Sequence, residues 1–278
     1  MTDLNGKVVV ITGAGGVLCS CFAEEIARCG AKVALLDLNA EGAQAVADKI
    51  TKDGGTAVAV SANVLEKQSL EAARQTVISE IGNCDILING AGGNHPKGTT
   101  SGEYFKKEDM IDPDVVSFFD LDPEGVQFVF NLNFLGTLLP TQVFAGDMLD
   151  KDGCAIINIS SMNAFSPLTK IPAYSGAKAA VSNFTQWLAV HFAPANIRVN
   201  AIAPGFFVTN QNRSLLFDEK EKPTARAEKI LNQTPMGRFG EPEELLGTLL
   251  WLIDEKAAGF VTGIVVPVDG GFSAYSGV

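Results

Sequence analysis

The stretch NISSMNAFSPLTKIPAYSGAKAAVSNF, which runs from Asn158 to Phe184, predicts a buried strand followed by a buried helix. Its β-branched beginning is typical of a buried strand, and that strand ends at the hydroxyl of Ser161. The alanine-rich segment after Tyr174 has the apolar spacing of a buried helix. Tyr174 and Lys178 are four residues apart, so they share one face of that helix.

The Tyr174 and Lys178 pair suggests acid–base chemistry. A phenol titrates near about 10 in water, so it can act as an acid or base near neutrality only if a nearby cation stabilises its phenolate. Lys178 is placed to be that cation. An ordinary amphipathic pair at a helix end is the alternative, because a motif of two residues is short. Ser161, thirteen positions upstream at a strand end, favours a catalytic site.

The rest of the chain alternates between strand-like and helix-like segments. Short apolar runs predict strands near residues 7–12, 32–37, 56–60, 85–89, 154–160, 197–203 and 264–268. Such alternation is typical of parallel βαβ units buried on both faces. A chain of 278 residues without a linker predicts a single domain over residues 1–278. The predicted fold is therefore α/β, a doubly wound parallel sheet of the Rossmann type with about seven strands, which binds ligands at the carboxyl ends of its strands.

The composition argues against several classes of partner. With 21 Lys and Arg against 32 Asp and Glu, the net charge is −11, and no basic stripe is visible, so neither nucleic acid nor an anionic membrane is expected as a partner. The five cysteines fall in predicted helices and strands without metal-ligand spacing, and they are expected to be core thiols in a reducing cytosol. No His/Asp/Glu cluster has ligand spacing, so no metal is predicted.

The N-terminus and two apolar segments bear on location and assembly. The chain enters a strand within a few residues, so no signal peptide is expected and a cytoplasmic location is predicted. The segment from Phe128 to Leu149 contains Asn133 and Pro140, which favour a helix buried by protein over a membrane span. This helix and the one from Tyr174 to His191 are apolar nearly all round, which favours a homo-oligomer, a dimer or a tetramer.

A glycine-rich turn, TGAGGVLC at residues 12–19, follows the first predicted strand. Glycine lets backbone N–H groups approach a pyrophosphate at a helix N-terminus. The second strand ends at Asp37, at about the spacing where an acidic residue binds the adenosine ribose. A carboxylate there repels a 2′-phosphate, and no arginine follows it, so NAD(H) is favoured over NADP(H). Asp37 could alternatively cap only the helix that begins near Ala40.

The glycine-rich turn, Asp37, Ser161 and the Tyr174/Lys178 pair together resemble the short-chain dehydrogenase/reductase family over nearly the whole chain. The segments NGAG at 89–92, NLNFLG at 131–136, PGFFVT at 204–209 and VVPVDGG at 265–271 fit the family in serial order. The chain departs from the family pattern at four positions: Val17 and Cys19 replace glycines of TGxxxGxG, Asn63 replaces an aspartate, and Gly90 replaces the second asparagine of NNAG.

The resemblance implies residue roles. The implied NAD(H) contacts are Thr12, Gly13, Gly15, Gly16, Val17, Leu18, Asp37, Leu38, Asn63, Val64, Asn89, Gly90, Ala91, Gly92, Tyr174, Lys178, Pro204, Gly205, Phe207 and Thr209. Ser161 would hold the substrate carbonyl oxygen and Tyr174 would donate the proton. Lys178 would lower the Tyr174 pKa and hold the nicotinamide ribose, and Asn133 would anchor a relay water. In another context Asn133 would be a satisfied core amide.

Two excursions, near residues 94–127 and 210–235, exceed the usual family pattern and are predicted to cover the substrate site. His95, Asn163, Lys170 and Arg213 are the polar or cationic residues expected nearest to the substrate, with Ser161 and Tyr174. Each of the four could instead be a solvated loop side chain.

Local segments such as INGAGGNHP and FFDLDPEG resemble the family branch described as D-mannonate oxidoreductases, or fructuronate reductases. The implied reaction is the reversible interconversion of D-fructuronate and D-mannonate with NAD(H). Another polyol or aldonate dehydrogenase, such as a gluconate 5-dehydrogenase, would share every catalytic residue. A 3-oxoacyl reductase or a non-catalytic NAD-binding regulator is a further alternative, although a regulator needs no positioned acid.

Overall fold

The computed structural model describes residues 2–209 and 213–277, and it confirms the predicted fold. Its parallel strands form one seven-stranded sheet in the order β3-β2-β1-β4-β5-β6-β7. The strands are β1 (Val8–Thr12), β2 (Lys32–Asp37), β3 (Thr56–Ser61), β4 (Ile86–Asn89), β5 (Cys154–Ile159), β6 (Ile197–Pro204) and β7 (Val265–Val268). The order reverses between β1 and β4, and at such a switch point a doubly wound sheet binds its ligands.

Helices cover both faces of the sheet. They are α1 (Val17–Arg28), α2 (Ala40–Lys52), α3 (Lys67–Glu80), α4 (Pro123–Phe130), α5 (Gly136–Phe144), α6 (Pro172–Phe192), α7 (Arg213–Leu216), α8 (Ala225–Gln233), α9 (Leu246–Ile253) and α10 (Glu255–Ala258). A π-helical segment, Asn131–Leu135, joins α4 to α5. Single π turns of this kind often occur at functional sites.

The core consists of two apolar layers, one on each face of the sheet. Side chains alternate along a strand, so Val9 and Ile11 of β1 pack with α1, α2 and α9, whereas Val8 and Val10 pack with α3, α5 and α6. All four are buried, which explains why β1 is apolar from Val8 to Ile11.

Three neighbouring strands end with polar residues at the same level. Thr12 is in register with Asn89, and Asn89 with Asn158. The Asn89 side-chain amide donates to Asn158 Oδ1 at 2.9 Å, and the Asn158 amide donates to Thr185 Oγ1 of α6 at 2.9 Å. These buried bonds hold the carboxyl ends of β4 and β5 against α6.

The two excursions are folded where the structure describes them. The first contains 3₁₀ turns at Pro96–Gly98, Lys107–Met110 and Phe118–Asp120. In the second, α7 and α8 surround a small apolar cluster of Leu216, Ala227, Ile230 and Phe239, whereas residues 210–212 lie outside the described residues. A Glu103–Lys229 ion pair of 2.8 Å joins the two excursions.

One helical stretch, Pro123–Met148, is long and apolar enough to cross a membrane, with a mean hydropathy of 1.3, but 50% of that window is buried inside the protein. All five cysteines are free thiols. Among residues 2–209 and 213–277, no group of three or more His, Cys, Asp or Glu side chains is arranged to hold a metal ion.

Candidate active site

Ser161, Tyr174 and Lys178 converge where β5 meets α6. Ser161 follows the last residue of β5 by two positions, and a hydrogen bond joins its side chain to that of Tyr174. Lys178 is buried, its Nζ donates to the Ile159 carbonyl at 2.7 Å, and it lies 5.7 Å from the centroid of the Tyr174 ring. The end of β5 therefore fixes both the hydroxyl and the ammonium beside the phenol.

Burial dominates the electrostatics of this group. It raises the pKa of Tyr174, and the hydrogen bond from Ser161 acts in the opposite direction. Burial lowers the pKa of Lys178 to about 8. The pKa of Tyr174 is thus raised by burial, and the expected lowering by Lys178 stays a prediction. In this state Tyr174 is a proton donor at neutral pH.

Asn133 is fully buried on the π-helical segment. Its amide donates to the carbonyls of Gly93 at 2.7 Å and Val129 at 2.8 Å, and its Oδ1 accepts from the Gly93 amide at 3.2 Å. Its own carbonyl accepts from Thr137 Oγ1 at 2.8 Å. The side chain is thus a satisfied core amide that ties the turn after β4 to the central helix. A relay role stays a prediction.

A cleft of about 620 Å³ runs from the catalytic group to the end of β2. Its volume is within the range of ligand sites. The predicted residues that line it are Gly13, Gly15, Gly16, Val17, Leu18, Asp37, Leu38, Asn63, Val64, Gly90, Ala91, Gly92, Ser161, Tyr174, Lys178, Pro204, Gly205, Phe207 and Thr209. Thr12 and Asn89 are buried behind the wall instead. Thr12 Oγ1 accepts from the amides of Gly90 at 3.1 Å and Ala91 at 3.2 Å, so it supports the wall.

The glycine-rich turn leaves the beginning of α1 open to the cleft. Gly16 is the N-cap of α1, and no side chain from the described part of the chain caps it. Uncapped amides at a helix N-terminus suit a pyrophosphate. Gly13 has a φ of +67°, and a Cβ there would lie 2.9 Å from Ala91 Cα, so this position requires glycine. Val17 does not block the turn, since it lies within the first turn of α1 and lines the cleft.

Asp37 closes the other end of the cleft. Its Oδ2 accepts from the Gly15 amide at 2.9 Å, and its Oδ1 accepts from the Asn39 amide at 2.8 Å. Asn39, whose side chain accepts from the Gly42 amide, is the N-cap of α2. The N-cap of α2 is therefore Asn39 and not Asp37. Asp37 instead joins the glycine-rich turn to the end of β2 through its hydrogen bond with the Gly15 amide. The shape and donors of the cleft fit a dinucleotide whose ribose lies beside Asp37.

The four candidate substrate residues lie in different surroundings, and none lines this cleft in the described structure. Asn163 is buried, and its backbone N–H donates to Ser161 Oγ at 3.3 Å. His95 Nδ1 accepts from the Lys97 amide at 3.2 Å, and its ring lies 5.2 Å from that of Phe128. Lys170 lines a separate hollow of about 400 Å³ in the first excursion.

Arg213 is exposed on the second excursion. Its guanidinium pairs with Glu221 and lies 5.3 Å from the Phe217 ring centroid. This partner lies eight residues along the chain, so the sequence alone did not identify it. In this structure the positive charge of Arg213 is already paired with the Glu221 carboxylate. Asn163 is the candidate most directly connected to Ser161.

Several lining residues were not predicted: Cys19, Asn39, Ala62, Gly93, Leu132, Ile159, Ser160 and Phe206. Most are neighbours of predicted residues and reach the cleft through backbone position. Counting outward from each motif by one residue would have included most of them. Ile159 is the exception, since it lies two residues before Ser161.

Comparison with known proteins agrees with this geometry. The sequence pattern of the family described as short chain dehydrogenase matches residues 7–220. An oxidoreductase of uncharacterised activity from Haemophilus influenzae is 63% identical over 276 residues, which cover 99% of this chain and 96% of that protein. The uncharacterised oxidoreductase UxuB of Bacillus subtilis strain 168 is 56% identical over 276 residues, 99% of this chain and 98% of that protein.

A solved structure extends the likeness to three dimensions. It is a candidate D-mannonate oxidoreductase from Haemophilus influenza, crystallised with bound NAD, with a TM-score of 0.96 and 62% sequence identity. The superposition covers 100% of this chain and 98% of that chain. The matched family pattern spans all the catalytic candidates, from the glycine-rich turn to Lys178 and beyond. The chain belongs to the short-chain dehydrogenase family.

Proposed function

We propose that this protein is an NAD(H)-dependent oxidoreductase that interconverts a ketone and a secondary alcohol of a sugar acid, with D-fructuronate and D-mannonate as the substrate pair. The observation that carries the proposal is the convergence of Ser161, Tyr174 and Lys178 beside a cleft that ends at Asp37. The sugar-acid assignment is supported by the 62% identical structure described as a candidate D-mannonate oxidoreductase.

NAD(H) is the cofactor favoured by the cleft. The Asp37 carboxylate lies at the ribose end of the cleft and would repel a 2′-phosphate. Leu38, the next residue, is 73% exposed and offers no cation to bind one. The similar structure with bound NAD supports the same choice.

In the reductive direction, NADH when bound supplies the hydride. The Ser161 hydroxyl holds the substrate carbonyl oxygen, and Tyr174 donates its phenol proton to that oxygen as it becomes an alcohol. Lys178 binds the cofactor ribose and places a cation beside the phenol, where it stabilises the phenolate that remains. In the oxidative direction the same phenolate accepts the alcohol proton.

A sugar acid also needs a partner for its carboxylate, because the protein carries a net charge of −11. Among His95, Lys170 and Arg213, we favour Lys170. It lies four residues before Tyr174, and no salt bridge engages it within residues 2–209 and 213–277, whereas Arg213 is paired with Glu221. Asn163 is suited to donate to a substrate hydroxyl, since its backbone already contacts Ser161.

The decisive assay measures NADH and NADPH oxidation with a panel of ketouronates, keto-aldonates and acyl ketones. The proposal predicts that D-fructuronate with NADH has the highest kcat/KM. A preference for 5-keto-gluconate would move the protein to the gluconate 5-dehydrogenase alternative, and a preference for acyl ketones would refute the sugar-acid assignment. Binding of NADH without turnover of any ketone would favour a regulator.

For its setting we propose a cytoplasmic homo-oligomer, a dimer or a tetramer. The outer face of α6 exposes Trp187 (56%) and Val190 (78%), and the neighbouring helical stretch exposes Phe130 and Leu135. Large apolar side chains of this kind on adjacent helices favour coverage by another copy of the chain. Sedimentation analysis tests this, and a monomer at micromolar concentration would contradict it.

A further inference from the structure

Cys19 and Gly90 meet face to face beneath the cofactor cleft, although 71 residues separate them in sequence. A Cβ built on Gly90 would lie 2.2 Å from Cys19 Sγ and 2.8 Å from the Thr12 carbonyl oxygen. The φ of Gly90 is not in the left-handed region, so glycine is required there for space and not for conformation. The sulfur is much the closer obstacle.

The same turn continues to the catalytic group. A Cβ on Gly92 would lie 2.7 Å from Asn133 Oδ1 and 3.1 Å from Lys178 Nζ. The next residue, Gly93, exchanges hydrogen bonds with the Asn133 side chain. The turn at residues 89–93 is therefore closely packed between the glycine-rich turn on one side and the catalytic Lys178 on the other.

We propose that Cys19 and Gly90 are a size-matched positioning pair, in which the Cys19 thiol fills the space of a side chain at position 90 and so sets where the turn at 89–93 lies against the bound cofactor. The two residues are also two of the departures from the family pattern, which has glycine at position 19 and asparagine at position 90. The thiol at position 19 leaves no room for a side chain at position 90, where the Thr12 carbonyl oxygen already restricts the space, so the two departures act as one compensated exchange in this proposal.

The consequence concerns cofactor binding and not only packing. Cys19, Gly90, Ala91 and Gly92 all line the cleft, so a displaced turn intrudes on the cofactor and moves toward Lys178. Burial raises the pKa of the Cys19 thiol to about 12, so the thiol remains uncharged and contributes packing volume beside the glycine-rich turn. The inference rests on the proposed NAD(H) site, and it is tested by NADH binding without any substrate.

The experiment compares Gly90→Ala with the double variant Cys19→Ala/Gly90→Ala. The double variant removes the sulfur that the new Cβ would meet at 2.2 Å, and that Cβ lies 3.8 Å from the Cβ of residue 19, an ordinary contact. The 2.8 Å contact with the Thr12 carbonyl oxygen remains in both variants. Gly247→Ala is the matched control, because a Cβ on this α9 glycine meets nothing within 4 Å. NADH affinity is measured by fluorescence titration and thermal stability by calorimetry.

Overpacking predicts that Gly90→Ala weakens NADH binding by roughly ten- to a hundredfold. The double variant should recover roughly three- to tenfold of that affinity, because it relieves the contact with the sulfur and keeps the one with the Thr12 carbonyl oxygen, and Gly247→Ala should bind normally. If Gly90→Ala does not fold, recovery of a folded, NADH-binding protein in the double variant supports the pair, and its absence overturns it. Unchanged NADH affinity in Gly90→Ala, or a double variant as weak as the single one, also overturns it. A wild type that binds no NADH would refute the proposed function instead.

Discussion

Replacing Tyr174 by Phe removes the phenol that is placed to donate a proton while it leaves the ring in position. Burial raises the pKa of this phenol, so at neutral pH the hydroxyl carries the proton that ketone reduction requires. General acid catalysis contributes about 10²- to 10⁴-fold, and loss of that factor corresponds to roughly 3–5 kcal/mol in the activation barrier. We therefore expect kcat to fall by two to four orders of magnitude.

Cofactor binding should change little in the same variant. Lys178 is held by the Ile159 carbonyl at 2.7 Å, so it does not depend on the Tyr174 hydroxyl for its position. The variant loses the hydrogen bond with Ser161, which costs about 1 kcal/mol of stability. The folded protein should therefore still bind NADH with nearly normal affinity.

The assay follows NADH oxidation with the best ketone of the panel and measures NADH affinity separately by fluorescence. Tyr275→Phe is the control, because this partly exposed tyrosine near the C-terminus does not line the cleft. A Tyr174→Phe enzyme within tenfold of wild-type turnover would refute the role of the phenol. If NADH binding is lost as well, the ring has moved and disturbed the cofactor site. The lower turnover would then not measure the contribution of the Tyr174 proton.

Three further results are expected. Asp37→Ser with Leu38→Arg should shift the kcat/KM preference from NADH toward NADPH, because it removes the carboxylate that repels a 2′-phosphate and adds a cation that binds one, while serine retains an oxygen for the Gly15 amide. A wild type that already prefers NADPH would contradict the role of Asp37. The kcat/KM for ketone reduction should fall as pH rises through about 8, because buried Lys178 then loses its proton while Tyr174, whose pKa is raised, keeps its own. A flat pH profile across this range would exclude a role for the Lys178 charge in the reaction. Lys170→Ala should raise KM for the sugar acid about tenfold or more and leave a neutral analogue unaffected, and equal losses for both substrates would indicate loop damage.

The sheet and the order of the catalytic residues could be predicted because both depend on local signals. A β-branched run such as the one ending at Ile159 is a strand in nearly any context that buries both faces, and a Tyr and a Lys four residues apart share a helix face by geometry alone. Parallel strands all end at one edge, so polar residues after different strands must meet there. Ser161 and Asp37 follow from this rule.

The same reasoning gives no answer where a side chain has a choice of partners. Arg213 was expected near the substrate because it is a cation in the right excursion, yet it pairs with Glu221 on its own excursion. The sequence position of Arg213 does not tell which carboxylate it will bind, since a flexible side chain on a loop can form an ion pair with a nearby residue at little entropic cost.

Cys19 and Gly90 show the other limit, and they also show how a departure from a pattern should be interpreted. Taken singly along the chain, each substitution weakens the resemblance, because each removes a residue that the family pattern contains. In the folded protein the Cys19 sulfur lies 2.2 Å from where a Cβ on residue 90 would stand, so the thiol and a side chain at position 90 are incompatible, and under our proposal the two departures compensate each other. A pattern scored position by position cannot register this compensation, since the sulfur and the missing side chain belong to elements 71 residues apart. Paired departures that meet in space are therefore an argument for a retained site, whereas a single uncompensated one would argue against it.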